Sequence, residues 1–160
     1  MSQSGLRYGE VALPFDPAAE PGDARLLFIG KIHSPWTERA ACPHNLREAR
    51  ERGGGAVVVI DEPYRPGLAG LEGRSHVVLL YWLGLARRDV IVARPRHADG
   101  PRGVFSLRSP VRPNPIGLAT VKVLALDAAN GRLEIEAIDC LDDTALLDIK
   151  PWIATVDGAG

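Results

Sequence analysis

Between residues 103 and 120 the chain reads Gly-Val-Phe-Ser-Leu-Arg-Ser-Pro-Val-Arg-Pro-Asn-Pro-Ile-Gly-Leu-Ala-Thr. Pro110, Pro113 and Pro115 fall within six residues. Each proline locks its own φ and pushes the residue before it toward extended geometry. Arg112 and Asn114 each precede a proline, so their side chains are presented from a pre-set backbone at little entropic cost. These two are the candidate catalytic residues. Gly117 allows either a close backbone approach or a positive φ. Such a loop is either a platform that presents Arg and Asn or a proline-stiffened crossover on a barrel rim.

Charge is unevenly spread around this stretch. Arg87, Arg88, Arg94, Arg96, Arg102, Arg108 and Arg112 face only Asp89 and Asp99 over the same span. Asp127, Glu134, Glu136, Asp139, Asp142, Asp143 and Asp148 then run against Arg132 alone. Arginine rather than lysine suits bidentate phosphate contact and stacking on bases. The acidic run suits a cationic or amine-bearing ligand. Both runs also fit a solvated surface with cross-strand pairing.

Other groupings carry less chemistry. Cys42-Pro43-His44 resembles the start of a metal site, but no second pair has finger-like spacing, so no metal is expected. Histidines 33, 44, 76 and 97 are scattered, and no Gly-x-Ser-x-Gly elbow supports a serine triad. The triple glycine 53–55 follows a helix and precedes a strand. A phosphate loop needs the opposite order, so these glycines read as a helix stop.

The elements that must position these residues are short. Residues 45–52 form a helix candidate, with Asn45 as N-cap and Glu48 three positions on. Strands are expected at 26–33, 56–60, 76–83, 89–93, 104–107, 118–126 and 132–138. Ala128-Ala129-Asn130-Gly131 marks a hairpin between the last two. Residues 1–24, with Pro14, Pro17 and Pro21, read as an irregular arm, and 25–157 as one β-rich, barrel-like domain. One short helix and no Rossmann sheet are expected. The 160 residues, 46% hydrophobic and 24% charged, fit a single globular domain. Two cysteines point to a reducing compartment. The longest apolar run, 77–86, is half the length of a spanning helix, and the polar N-terminus lacks a signal-peptide core. A cytoplasmic protein without membrane contact is the expectation.

The string Arg108-Ser109-Pro110-Val111-Arg112-Pro113-Asn114-Pro115-Ile116-Gly117 resembles the central signature of the TsaA-like, TrmO-type methyltransferase family. Three further blocks agree in order. Ile29-Gly30-Lys31-Ile32-His33-Ser34-Pro35-Trp36 resembles the first strand and its stop. Leu71-Glu72-Gly73-Arg74-Ser75-His76, with the apolar run after it, resembles the second block. Residues 142–152, Asp-Asp-Thr-Ala-Leu-Leu-Asp-Ile-Lys-Pro-Trp, resemble the closing block.

The resemblance implies a barrel-like S-adenosylmethionine-dependent N-methyltransferase, a homodimer, acting on N6 of threonylcarbamoyl-adenosine beside the anticodon of tRNA(Thr). It implies cofactor contacts at His44, Asn45 and Leu46, at Leu83 and Gly84, at Arg108 and Leu118, and at Asp142, Asp143, Thr144 and Ala145. S-adenosylmethionine has no phosphate, so the missing glycine loop is no objection. Its cationic groups suit Asp142 or Asp143, and its carboxylate suits Arg108. The family commonly has Asp-Gly-Thr-Pro where this chain has Asp142-Asp143-Thr144-Ala145. Longer members have Pro-Arg-Gln-Pro near Cys42-Pro43-His44-Asn45-Leu46, and they continue into a C-terminal extension beyond the closing block. The alternatives are the same chemistry on a small molecule or another RNA, and a binding module without turnover.

Overall fold

In chain order the strands are β1 (Val11–Ala12), β2 (Gly30–His33), β3 (Ala56–Ile60), β4 (His76–Trp82), β5 (Val90–Ala93), β6 (Arg102–Gly103), β7 (Ile116–Asp127), β8 (Arg132–Ile135) and β9 (Thr144–Pro151). The helices are α1 (Leu46–Glu51) and a single turn α2 (Ala154–Asp157), with 3-10 helices at Glu62–Leu68 and Val104–Ser106. The computed structural model describes residues 5–95 and 98–158. Arg96 and His97, counted among the sequence's arginines and histidines, lie outside them. The chain divides into two compact units, one of Leu26–Trp82 with Gly117–Gly160, the other of Met1–Arg25 with Leu83–Ile116.

The first unit is a closed barrel in the order β2-β3-β8-β7-β4-β9, with β9 pairing back onto β2. Its strands alternate because successive side chains point to opposite faces. β3 sends Ala56, Val58 and Ile60 inward, and β4 sends Val77, Leu79 and Tyr81 inward. Ile32, Val121, Leu133, Ile135 and Leu146 complete the core. The apolar run of β4 is thus explained by a place between β7 and β9, with no residue of the strand left exposed.

Asn45 caps α1, its side-chain oxygen accepting from the Glu48 N–H at 2.9 Å. Gly53 ends the helix at φ 67°, a conformation that favours glycine. The glycines are therefore a helix stop. The expected strand at 26–33 begins only at Gly30, and Leu26, Leu27 and Phe28 are exposed. β9 is a strand that sequence patterning did not mark, and it closes the barrel.

The second unit is a three-stranded sheet, β1-β5-β6. Its core is Val90, Ala93 and Val104, flanked by Leu6, Ile91, Leu107 and Val111. Residues 11–12, read from sequence as irregular, pair with β5. Residues 104–107, expected as a strand, begin instead with a 3-10 turn. Glu10 anchors the β1 end. Its carboxylate accepts from the Arg7 backbone N–H at 2.9 Å, the Arg7 guanidinium at 2.7 Å and the Arg94 backbone N–H at 3.0 Å. These donors hold its pKa down to about 2.

Candidate functional site

Four of the expected ligand residues form one turn on the barrel unit. Asp142, Asp143, Thr144 and Ala145 run into β9, and Ile32 and Lys31 of β2 lie opposite Thr144 and Ala145. The outer face of β2 grips this turn. The Lys31 ammonium donates to both Asp143 oxygens at 2.8 and 2.9 Å. One Asp142 oxygen accepts the Ser34 backbone N–H at 3.1 Å and lies 3.3 Å from His33 Nδ1. The Asp142 N–H donates to the Trp36 carbonyl at 2.8 Å, and the Thr144 hydroxyl donates to the Leu141 carbonyl at 2.6 Å. The Lys31 hydrogen bonds lower the Asp143 pKa, and Asp143 in turn raises that of Lys31.

Asp143 sits at φ 65°, the one positive φ of a non-glycine residue among the described residues. Aspartate tolerates this region better than most residues. The turn thus keeps a left-handed backbone at the position where the family commonly has glycine. With Asp143 committed to Lys31, Asp142 is the better placed of the two acids to meet a cation.

The other residues expected on this unit are set apart by their bonding. Asn45 spends its side-chain oxygen on the α1 cap, and the His44 N–H donates to Glu48 at 2.9 Å. His44 is exposed and Leu46 half-buried. Leu118 is exposed on β7. Beside it, a Cβ on Gly117 would overlap the Tyr81 ring, so Gly117 serves close approach. The buried Tyr81 hydroxyl donates to Asp139 at 3.1 Å, and burial raises its pKa. The Cys42 thiol donates to the Asp139 carbonyl at 3.5 Å, and burial pushes Cys140 up to about 12. No cluster of three or more metal-ligating side chains occurs among the described residues.

On the second unit the proline loop is internally braced. Arg112 donates to the carbonyls of Ser109 at 2.9 Å, of Val104 at 3.0 Å, and of Leu107. It holds the loop's own backbone and is not free to orient an acceptor. The Arg88 guanidinium donates to the Pro113 carbonyl at 2.6 Å and reaches the Asn114 side-chain oxygen at 3.5 Å. Asn114 remains exposed. The Leu83 N–H donates to the Pro115 carbonyl at 2.8 Å, and Gly84 follows on the surface. Arg108 is exposed. Among the described residues its guanidinium has no hydrogen bond or ion pair.

Sequence reasoning did not single out Lys31, His33, Tyr81 or Asp139. A signal for the first two existed: Lys31 and His33 are two apart on a strand and so share a face.

A closed six-stranded barrel, with no Rossmann sheet among the described residues and an acidic turn gripped by its neighbouring strand, defines a barrel class of protein. The tRNA-methyltransferase O N-terminal domain family matches residues 31–158, and the chain belongs to that family. "Probable S-adenosyl-L-methionine-binding protein VirR" of Rhizobium radiobacter is 42% identical over 151 residues, covering 94% of this chain and 82% of its own. An S-adenosyl-L-methionine-binding protein of Archaeoglobus fulgidus is 35% identical over 129 residues, covering 81% of this chain and 89% of its own. A crystal structure of TrmO superposes with a TM-score of 0.68 at 31% identity, covering 86% of this chain and 61% of that one. TrmO from Pseudomonas aeruginosa superposes at 0.67 and 30% identity, covering 86% and 60%. The chain therefore spans about three fifths of the TrmO chains it matches.

Proposed function

We propose that this protein binds S-adenosylmethionine and transfers its methyl group to a nitrogen of RNA, with N6 of threonylcarbamoyl-adenosine beside the anticodon of tRNA(Thr) as acceptor. The observation that carries the reading is the family match over residues 31–158. The chemistry of the donors fits it. Asp142 is an exposed carboxylate oriented by the Ser34 N–H, suited to an ammonium or sulfonium. Arg108 is an exposed guanidinium with no partner among the described residues, suited to a carboxylate. Bound S-adenosylmethionine supplies an electrophilic methyl group. The protein's own share is alignment of donor and acceptor, which lowers the barrier by several kcal/mol without an enzyme-bound covalent intermediate. The N–C bond would form as the sulfonium C–S bond breaks, leaving the thioether S-adenosylhomocysteine and releasing the acceptor nitrogen's proton to solvent. Asn114, held by Arg88, is the residue proposed to orient the acceptor. Arg112 acts through the loop it braces.

The test is incubation of purified protein with S-adenosylmethionine and threonine tRNA, followed by mass spectrometry of the nucleosides. Appearance of the N6-methylated nucleoside supports the reading. Cofactor binding by calorimetry with no methylated nucleoside in any RNA would favour the second reading, a binding protein without turnover. The names of the Rhizobium and Archaeoglobus relatives, which mention binding alone, favour that one.

A homodimer in the cytoplasm is part of the proposal. No helix among the described residues is long and apolar enough to cross a membrane. Leu26, Leu27 and Phe28 form an exposed apolar run on the barrel unit, the kind of surface association covers. Light scattering giving a monomer mass at micromolar concentration overturns the dimer.

A further inference from the structure

The least explained side chain in the second unit is Phe105. It is 80% exposed, although its neighbour Val104 is completely buried. A lone exposed apolar residue needs no explanation in general. Here, however, the backbone beneath the ring is built to hold it out. Val104 is the floor of the unit's core and Leu107 packs against that core. Between them the chain makes the 3-10 turn Val104–Ser106, which points residue 105 away from both. The Ser106 hydroxyl donates to the Gly103 carbonyl at 2.8 Å, and Arg112 donates to the carbonyls of Val104 and Leu107 from below. The ring therefore stands on a braced turn, and little backbone freedom remains to be lost when something covers it.

Charge identifies what that something is. Arg102 stands three residues before Phe105, at the start of β6, and is exposed. Among the described residues its guanidinium has no hydrogen bond or ion pair. Arg7 and Arg87 in the same unit pair with Glu10 and Asp89, and Arg112 is spent on carbonyls. No Asp or Glu stands anywhere between Asp99 and Asp127. An exposed aromatic ring three residues along the chain from an exposed guanidinium, in a stretch without acids, suits a partner with a planar face and an anionic backbone.

We propose that Phe105 and Arg102 form a stacking platform for one unpaired nucleotide of single-stranded or loop RNA, Phe105 covering the base and Arg102 pairing with an adjacent phosphate. The inference deepens the RNA reading above and rests on it. An aromatic face accepts any base, so the platform adds affinity and placement while leaving sequence choice to other contacts. Loops and splayed bases are the RNA features that present such a free face. A base-paired stem hides it.

The experiment is fluorescence anisotropy with a labelled RNA hairpin carrying a seven-nucleotide loop, and with a blunt RNA duplex as control. Wild-type protein binds the hairpin more tightly than the duplex. Phe105→Ala weakens hairpin binding about tenfold or more, while Phe105→Trp retains it. Arg102→Ala weakens binding and lowers the slope of log affinity against log salt by about one. In all three variants calorimetric S-adenosylmethionine affinity and melting temperature stay at wild-type values, since these side chains lie on the surface. Wild-type hairpin affinity in Phe105→Ala overturns the platform and leaves the RNA reading standing. A wild-type protein that binds cofactor but no RNA overturns both. Conversion of Phe105→Ala from dimer to monomer in light scattering also overturns the platform, because the ring then belongs to a contact between copies.

Discussion

Arg112 and Arg108 lie four residues apart in one proline-rich string, yet their surroundings assign them opposite work. Arg112 is turned inward onto three carbonyl oxygens of its own loop. Arg112→Ala leaves those acceptors short of donors, at a cost of about 1–3 kcal/mol. At about 2–4 °C per kcal/mol for a chain of this size, the melting temperature should fall by roughly 2–12 °C in calorimetry. Lysine should not rescue it, since one ammonium cannot reproduce the planar fork. Arg108→Ala should leave the melting temperature unchanged. Gly117 is a second residue whose role is spatial. A methyl group there meets the Tyr81 ring inside the barrel wall. Gly117→Ala should destabilise by about 1–3 kcal/mol, as overpacking does. Tyr81→Phe in the same background should not relieve it, because the clash is with the ring and not the hydroxyl. Restored stability in that double variant would show the hydroxyl to be the obstacle.

At the scale of elements, a strand of only two residues leans on a neighbouring charge. β1 has two residues, and Glu10 immediately before it holds the turn to Arg7 and the start of the 94–95 segment. Glu10 is ionised in the folded protein down to about pH 2, whereas its ordinary pKa is 4.5. A depressed folded pKa gives stability that is fully present above about pH 5 and is lost as the unfolded chain takes up the proton first. Urea midpoints should therefore fall between about pH 5 and about pH 2, and Glu10→Gln should flatten that part of the fall. An unchanged slope in Glu10→Gln would assign the acid sensitivity to other carboxylates. The β2 face and the 142–145 turn form a second charged junction, through Lys31 with Asp143. Both partners there are exposed, so the pair orients the turn more than it stabilises the barrel.

At the scale of the whole molecule, ligand and fold are linked. A ligand that binds only the folded state, at a free concentration of one hundred times its Kd, stabilises by about 2.7 kcal/mol. Saturating S-adenosylmethionine should thus raise the melting temperature by roughly 5–11 °C, and the rise should shrink in Arg108→Ala. No rise in wild-type protein would overturn the proposed cofactor.

The sequence by itself determined the class of fold and the family. The continuous apolar runs at 56–60 and 77–82, the Asn45 cap and the glycine stop are local signals, and each needs only its own neighbours to form. The family signature is likewise a string of adjacent residues. The tertiary structure alone decided the rest. β9 was not legible because Asp148, Lys150 and Pro151 break its apolar pattern, and only its place between β2 and β4 makes it a strand. The turn at 104–107 was not legible because Val104 and Leu107 match a strand pattern until Arg112 draws their carbonyls together. Nor could spacing show that Lys31 claims Asp143 while Asp142 turns to Ser34 and His33, since 112 residues separate the first pair along the chain. Hydrogen bonds of that span depend on which strands the barrel brings side by side, and barrel closure is a property of all six strands together.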